Sequence, residues 1–234
     1  QYKEAVGELE RFQAQKIALS GTISVFSASV LVDVFMVNII RDFTAIYPST
    51  MIKIIETNND ELLSYVVNGY CEVALLSASK NYVEKMQQTR KDIEYLLLLE
   101  DQVVVCARKD HPLMKYKTLD FDSLTEYAKK SHFQFSLYQI LPFAHPEVSY
   151  TYSISNSPNA DIHKKFMMEN VAVTHMPYLA YQNKFQQDGF AMVPLKGTPI
   201  LGHYLIWRKD EENSNYYLLR YFLEFLQKKI KKQF

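Results

Sequence analysis

The clearest pattern of hydrophobic positions lies in the middle of the chain, where two apolar runs follow one another. The runs are Tyr95–Leu99 and Val103–Ala107, and the acidic residues Glu100 and Asp101 stand between them. Each run has the length and the Leu- and Val-rich composition of a strand that is buried on both faces. We therefore predict that the chain crosses here from one lobe to another, and that Tyr204–Lys209 is the return strand. Two lobes joined by two crossover strands enclose a cleft, where small ligands usually bind.

The first half of the chain alternates between strand patterns and helical patterns. The predicted strands are Thr22–Phe26, Met51–Glu56 and Glu72–Leu76, and the predicted helices cover residues 1–18, 30–46 and 62–67. Ser27 or Ser29 is placed to cap the second helix, and Asn58–Asp60 the third. A polar segment, Lys80–Lys91, leads into the first crossover. The order strand–helix–strand–helix–strand is typical of a parallel sheet.

The second half repeats this theme less regularly. Strands are predicted at His132–Leu137, Val148–Ile154, Val171–Thr174 and Ala191–Leu195, with helices at Leu119–Tyr127 and after the cap-rich loop Ser155–Asn159. A long amphipathic helix ends the chain and places on one face Tyr217, Leu218, Tyr221, Phe222, Phe225, Leu226 and Ile230. Core packing explains part of this aromatic face, and we expect a subunit interface to use the rest.

Composition excludes several classes of protein. The chain has 234 residues, enough for one large domain or for two lobes of about 100 residues each. Its formal net charge of zero disfavours a basic nucleic-acid surface or a polybasic membrane binder. The most apolar stretch, Leu19–Ile40, carries Asp33 and Asn38, which a membrane span would rarely tolerate at its centre.

Catalytic and metal-binding patterns are missing from the sequence. The only cysteines, Cys71 and Cys106, lie in apolar runs and form no CxxC pair, which fits buried thiols in a reducing, cytoplasmic compartment. The six histidines show no HExxH spacing, and no GxSxG or P-loop occurs. A Ser–His pair across the cleft, such as Ser29 with His132, is the remaining enzymatic alternative. We predict a protein that is not an enzyme and that holds no cofactor or metal.

Three groups of polar residues are candidates for contact with a ligand. The first strand-to-helix turn offers hydroxyls beside free backbone N–H groups, an arrangement that binds anions. The candidates are Ser27 and Ser29 at that turn, Ser77 and Ser79 after the third strand, and His132, Gln134, Asn156 and His175 from the second lobe. Each of these residues also has an ordinary structural explanation as a cap, a turn residue or a satisfied polar group. A small anion or polar metabolite is the expected ligand. The aromatic residues near His132–Phe135 and Tyr150–Tyr152 allow an apolar or aromatic ligand instead.

Motifs in a fixed order along nearly the whole chain carry a resemblance to a known family. A predicted helix gives way at Ser20-Gly21 to the first strand, and the next helix ends in a Phe…Tyr-Pro pattern. The further motifs are Leu63, Val67 and Gly69 before Glu72-Val73-Ala74-Leu75, then Val103–Val105, His111-Pro112-Leu113, Leu119-Asp120 and Leu124. In this order they resemble the effector-binding domain of LysR-type transcriptional regulators. Two departures are Glu72, where the family usually has Asp, and Asn170 and Ala172, where it usually has glycines.

The resemblance implies two Rossmann-like lobes of the type II periplasmic-binding-protein kind, preceded by part of a linker helix. The expected boundaries are 1–20 for the linker helix, 21–102 with 204–234 for lobe I, and 103–203 for lobe II. It also implies a small effector in the cleft, a homodimer or homotetramer built through lobe I, and DNA binding through an N-terminal domain that this sequence lacks. In that dimer the helix 30–46 of one subunit would lie near 216–230 of the other.

A solute-binding protein of a transport system would have the same fold and is the alternative function. The two differ at the N-terminus, because a transport protein needs an export signal and a regulator needs a helix leading from its DNA-binding domain. The charged segment Gln1–Ile17 favours the regulator.

Overall fold

Two five-stranded sheets form the framework of the protein. The computed structural model describes residues 19–28, 31–131, 134–137, 153–157, 159–209 and 215–233. The first sheet has the order β2-β1-β3-β10-β4 and the second the order β7-β6-β8-β5-β9. The helix predicted over residues 1–18 lies outside the described residues.

The strands of the first sheet are β1 (Gly21–Ser27), β2 (Thr50–Glu56), β3 (Val73–Ser79), β4 (Ile93–Asp101) and β10 (Leu201–Arg208). Its helices are α1 (Val37–Ile46), which continues a π-helical turn (Val32–Met36), and α2 (Leu62–Val67), α3 (Lys80–Thr89) and α7 (Tyr216–Gln233). We call this sheet with its helices the first lobe. Strand β1 is parallel to both β2 and β3, as the alternating pattern predicts.

The strands of the second sheet are β5 (Val103–Arg108), β6 (Gln134–Leu137), β7 (Ser153–Asn156), β8 (Ala172–Pro177) and β9 (Phe190–Pro194). Its helices are α4 (Phe121–Ser131), α5 (Ala160–Met168) and the short α6 (Tyr178–Ala180), with a second π-helical turn (Tyr181–Phe185) and 3-10 turns at Pro112–Lys115 and Gln186–Asp188. We call this the second lobe. Both crossovers occur where the sequence predicts them, through β4 into β5 and back through β10.

Two local predictions are wrong, and one helix had no prediction. Strand β4 is not buried on both faces, because it forms the edge of its sheet and leaves Leu97 41% exposed. Residues Asn58–Asp60 do not cap α2, whose first turn begins at Glu61 without a side-chain cap. Most of the polar segment 80–91 is the helix α3, which Ser79 caps by accepting a hydrogen bond from the Tyr82 N–H.

The first lobe buries its aromatic helix face inside the chain. The ring of Phe43 on α1 lies 5.2 Å from Phe222 and 5.4 Å from Phe225 of α7, and Lys229 pairs with Asp42 at 2.5 Å. Tyr217, which the sequence pattern puts on the same face, is instead 71% exposed. Packing between α1 and α7 of one chain therefore accounts for most of that face.

The two lobes share a hydrophobic core at their junction. One cluster joins Phe35 and Met36 of the first lobe to Leu179, Tyr181 and Phe185 of the second. Apolar contact therefore continues across the boundary between the sheets and fixes where the polar groups of the junction meet.

Candidate functional site

The carboxyl ends of the parallel strands of both lobes meet at the junction. A single residue, Gln102, separates β4 from β5, so the end of β4 and the start of β5 mark it. Strand β10 is antiparallel to β3 and β4, which therefore run in the same direction as β1 and β2. In the second sheet β8 is antiparallel to β5, and β6 and β7 run parallel to β8. Open α/β sheets bind ligands at such carboxyl ends.

Most of the described candidate ligand residues lie at this edge. Ser27 is the last residue of β1, Ser77 and Ser79 end β3, Asn156 ends β7, and His175 is two residues from the end of β8. The topology thus brings residues of both lobes towards one junction, although they are far apart in sequence.

Gln134 lies at the other end of the second sheet. It is the first residue of β6 and pairs with Ala172, the first residue of β8. Since a strand rises about 3.3 Å per residue, Gln134 lies roughly 10 Å from the carboxyl end of β6. Ser29 and His132 lie outside the described residues.

Two of the serines are engaged in local hydrogen bonds. The Ser27 hydroxyl is buried and donates to the Ala28 carbonyl at 2.9 Å. Ser79 caps α3, as described above. The structure therefore gives Ser27 a bond within its own turn where the sequence suggests a helix cap.

Ser77 belongs to a chain of buried polar groups that the sequence did not reveal. Its backbone is held on both sides by the Asn59 side chain, which donates to the Ser77 carbonyl at 2.8 Å and accepts from its N–H at 2.7 Å. Its hydroxyl is 2.9 Å from Nδ1 of His203, and Nε2 of His203 is 2.9 Å from Oδ2 of Asp101. The His203 and Asp101 side chains are 0% and 5% exposed.

Asp101 extends this series of hydrogen bonds into the second lobe. Its Oδ2 also accepts a hydrogen bond from the Leu179 N–H at 3.0 Å, and its Oδ1 accepts one from the Gln102 N–H at 2.7 Å. Because a carboxylate only accepts hydrogen bonds, Nε2 of His203 carries the proton and donates the hydrogen bond to Asp101. Serine, histidine and aspartate also form hydrolytic triads, but the nucleophile of a triad is open to its substrate, whereas Ser77 is 0% exposed in this structure.

His175 is the most unusual candidate because it is buried and has no hydrogen-bond partner among the described residues. Neither ring nitrogen finds a hydrogen-bond partner in the part of the chain that the structure describes, and the same holds for the neighbouring hydroxyl of Thr174. Burial lowers the pKa of His175 to about 4, so the ring is neutral at pH 7. A neutral imidazole here can donate one hydrogen bond and accept another.

Two π-helical turns face each other across the junction. Asp33 in the first pairs with Lys184 in the second, and Phe35 in the first lies 6.5 Å from the His203 ring. Short π-helical segments are frequent at functional sites. Both turns therefore belong to the candidate site, although no sequence pattern pointed to them.

The family model for the LysR substrate binding domain matches residues 17–231. The chain belongs to this family. Comparison with curated protein sequences finds no match. As the ligand-sensing domain of a LysR-type regulator it is not an enzyme, and this assignment favours the regulator over the transport protein. Within the described ranges no group of three His, Cys, Asp or Glu residues could hold a metal ion, and no helix there is long and apolar enough to cross a membrane.

Solved structures of LysR-type regulators share this fold at low sequence identity. The effector binding domain of QuiR in complex with shikimate has a TM-score of 0.66 at 14% identity, over 92% of this chain and 100% of that one. The reduced OxyR regulatory domain from Pseudomonas aeruginosa has a TM-score of 0.62 at 12% identity, over 88% and 97%. A cysteine mutant of Corynebacterium glutamicum OxyR, H2O2-bound, has a TM-score of 0.61 at 14% identity, over 99% and 75%.

Proposed function

We propose that this LysR substrate-binding domain senses a small polar or anionic metabolite held between its lobes, and that lobe I comprises residues 21–102 and 204–234 and lobe II residues 103–203. The observation that supports this most is the meeting of the carboxyl ends of both sheets at the junction. Effector binding would change the shape of the assembled regulator and so alter transcription. DNA would be bound by an N-terminal domain of the full-length protein.

The proposed contacts come from both lobes. Ser27, Ser29, Ser77 and Ser79 would supply hydroxyls from the first lobe. The second lobe would supply the polar side chains of His132, Gln134, Asn156 and His175. Of these, His175 has the strongest support, since its buried nitrogens lack partners among the described residues. Gln134 has the weakest, because it starts its strand at the end far from the junction.

A thermal-shift screen of polar metabolites tests the proposal. Shikimate and other small hydroxycarboxylic acids are the first probes, because the QuiR domain of the same fold was solved with shikimate. A ligand at a hundred times its Kd adds about 2.7 kcal/mol to the free energy of unfolding. We expect Ser27→Ala to weaken binding and Ser64→Ala, an exposed change on α2, to leave it unchanged. If the two variants bind equally well, Ser27 is not a contact residue.

We further propose a homodimer or homotetramer built through the first lobe. Exposed apolar side chains remain there after α1 and α7 have packed: Val37 is 57%, Met51 55% and Tyr217 71% exposed. Helix α1 of one subunit would lie near α7 of the other. Light scattering should show a smaller assembly for Tyr217→Glu, while Val171→Glu, on the second lobe and also partly exposed, should keep the wild-type mass. A loss of assembly only in Val171→Glu would place the interface on the second lobe.

Peroxide sensing is a weaker candidate, although OxyR domains share the fold. The reactive form of a cysteine is its thiolate, which a low pKa favours. Here burial raises the pKa of Cys71 to about 12 and raises that of Cys106 as well. Both thiols are free and buried, which fits the reducing cytoplasm that we propose as the location of the protein.

A further inference from the structure

We infer that the buried side chains of Ser77, His203 and Asp101 act together as positioning residues that hold the second lobe in a fixed orientation to the first. Through them, a change in the hydrogen bond of the Ser77 hydroxyl alters the contact with the second lobe. This role rests on the proposed effector site, because Ser77 stands at the edge where the ligand would bind.

The three side chains cross the first sheet from its middle to its edge. Ser77 is on β3, His203 on the neighbouring β10 and Asp101 on the edge strand β4. The two hydrogen bonds between them are each 2.9 Å long and lie in a region closed to solvent. Both crossover strands, β4 and β10, therefore contribute a side chain to one hydrogen-bonded chain.

The end of this chain is a bond between the lobes. Asp101 accepts from the backbone N–H of Leu179, at the start of α6 in the second lobe. Beside this bond, the Gln102 carbonyl accepts a hydrogen bond from the Tyr178 N–H at 2.8 Å. A hydrogen bond to a buried carboxylate is stronger than one between neutral groups, so Asp101 governs how α6 sits against the first lobe.

Ser77 is the residue of this series of hydrogen bonds on which a ligand would act first. Asn59 holds its backbone, so a change at Ser77 is confined to its hydroxyl, which is hydrogen-bonded to Nδ1 of His203. A ligand that draws this hydroxyl away would leave Nδ1 of His203 without its partner. The imidazole would then shift or turn, and its bond to Asp101 would change together with the bond to Leu179.

Amide hydrogen exchange without any ligand tests the inference directly. We expect Asp101→Asn and His203→Gln to speed exchange of the Leu179 amide by about tenfold or more, since a hydrogen bond to a charged group is lost or weakened. Ser77→Ala should speed it as well, although Ser77 does not touch Leu179. The control is Asp110→Asn, which removes a carboxylate that pairs with Arg108 inside the second lobe. It should leave Leu179 unchanged.

The distance between the lobes supplies a second readout. Spin labels at Lys85→Cys in α3 and Lys129→Cys in α4, both exposed positions, should give a broader distance distribution in the Asp101→Asn and Ser77→Ala proteins. Dilution with unlabelled protein removes distances between subunits.

Wild-type exchange at Leu179 and a wild-type distribution in Ser77→Ala would overturn the inference. If exchange of the Leu179 amide speeds up by no more than that of core amides such as Val104, the variants are only generally destabilised, and the inference is overturned. Because no effector is present, a failed search for one would refute the proposed function without affecting this result.

Discussion

His175 is a buried residue whose contribution to stability is set by pH. The folded protein holds its ring neutral, with a pKa of about 4 against 6.5 for an ordinary histidine. Protons therefore bind the unfolded chain more readily, and the histidine destabilises the fold as the pH falls from about 6.5 to about 4. The full loss is about 3 kcal/mol, of which about 2 kcal/mol is reached by pH 5.

Urea unfolding of the wild type and His175→Leu at pH 7 and pH 5 checks this. The variant should be the more stable protein at pH 7 by roughly 1 kcal/mol, because it removes two buried polar atoms that have no partner in the described part of the chain. The advantage should grow by about 2 kcal/mol at pH 5. An advantage that is the same at both pH values would show that His175 is not the titrating group.

Asn170 is a second residue whose role follows from its backbone. Its φ of 55° is the only positive value among the described residues other than glycine. This conformation fits the family resemblance, in which Asn170 takes the place of a glycine, because Asn tolerates the left-handed region. We expect Asn170→Gly to change the free energy of unfolding little and Asn170→Val to lower it by about 1–2 kcal/mol. Thermal unfolding of the pair measures the difference, and equal melting temperatures would contradict it.

At the scale of elements, the sequence predicted most strands but not their neighbours. Both crossovers could be predicted because an apolar run of strand length is a local signal. The burial of β4 could not be predicted, since β4 lies at the edge of its sheet. An edge strand and a central strand can have similar sequences. Helix α3 was missed because its buried positions, Val83 and Met86, are surrounded by polar residues.

The packing of α1 against α7 gives a prediction at this scale. Phe222 is fully buried and makes an edge-to-face contact with Phe43. Phe222→Ala should lower the free energy of unfolding by about 3–5 kcal/mol, because it removes a buried ring and leaves a cavity. Arg220→Ala, exposed on the same helix, should cost less than about 0.5 kcal/mol. Chemical denaturation of both variants measures this, and a similar cost for the two would mean that α7 is held mainly by other contacts.

At the scale of the whole molecule, the candidate site is made of residues that meet only when both lobes have folded. Ser77 and His203 are 126 positions apart, and Asp101 and His203 are 102 apart. The sequence singled out Ser77 from its place after a strand, but it gave no sign of its partners. His203 lies next to an apolar run and reads as an ordinary strand residue. Local patterns thus predicted which polar residues lie at the ends of the strands. The contacts between these residues depend on the strand order, in which β10 lies between β3 and β4.

Two of the polar links between the lobes in the described part of the chain should contribute very differently to stability. The Asp33–Lys184 pair has side chains that are 43% and 30% exposed, so water screens it and its loss should cost at most about 1 kcal/mol. Asp101 is buried and also binds His203 and Leu179, so Asp101→Asn should cost about 3 kcal/mol or more.

Urea unfolding at low and high salt separates the two links. The cost of Lys184→Ala should shrink at high salt, because added ions screen an exposed pair, while the cost of Asp101→Asn should change little in the closed junction. Phe35 lies in the same π-helical turn as Asp33, its ring is 6.5 Å from that of His203, and it belongs to the core that both lobes share. We therefore expect neither variant to unfold one lobe alone. If instead Lys184→Ala proves as costly as Asp101→Asn, then the facing π-helical turns, and not the buried chain through His203, set how the lobes are oriented.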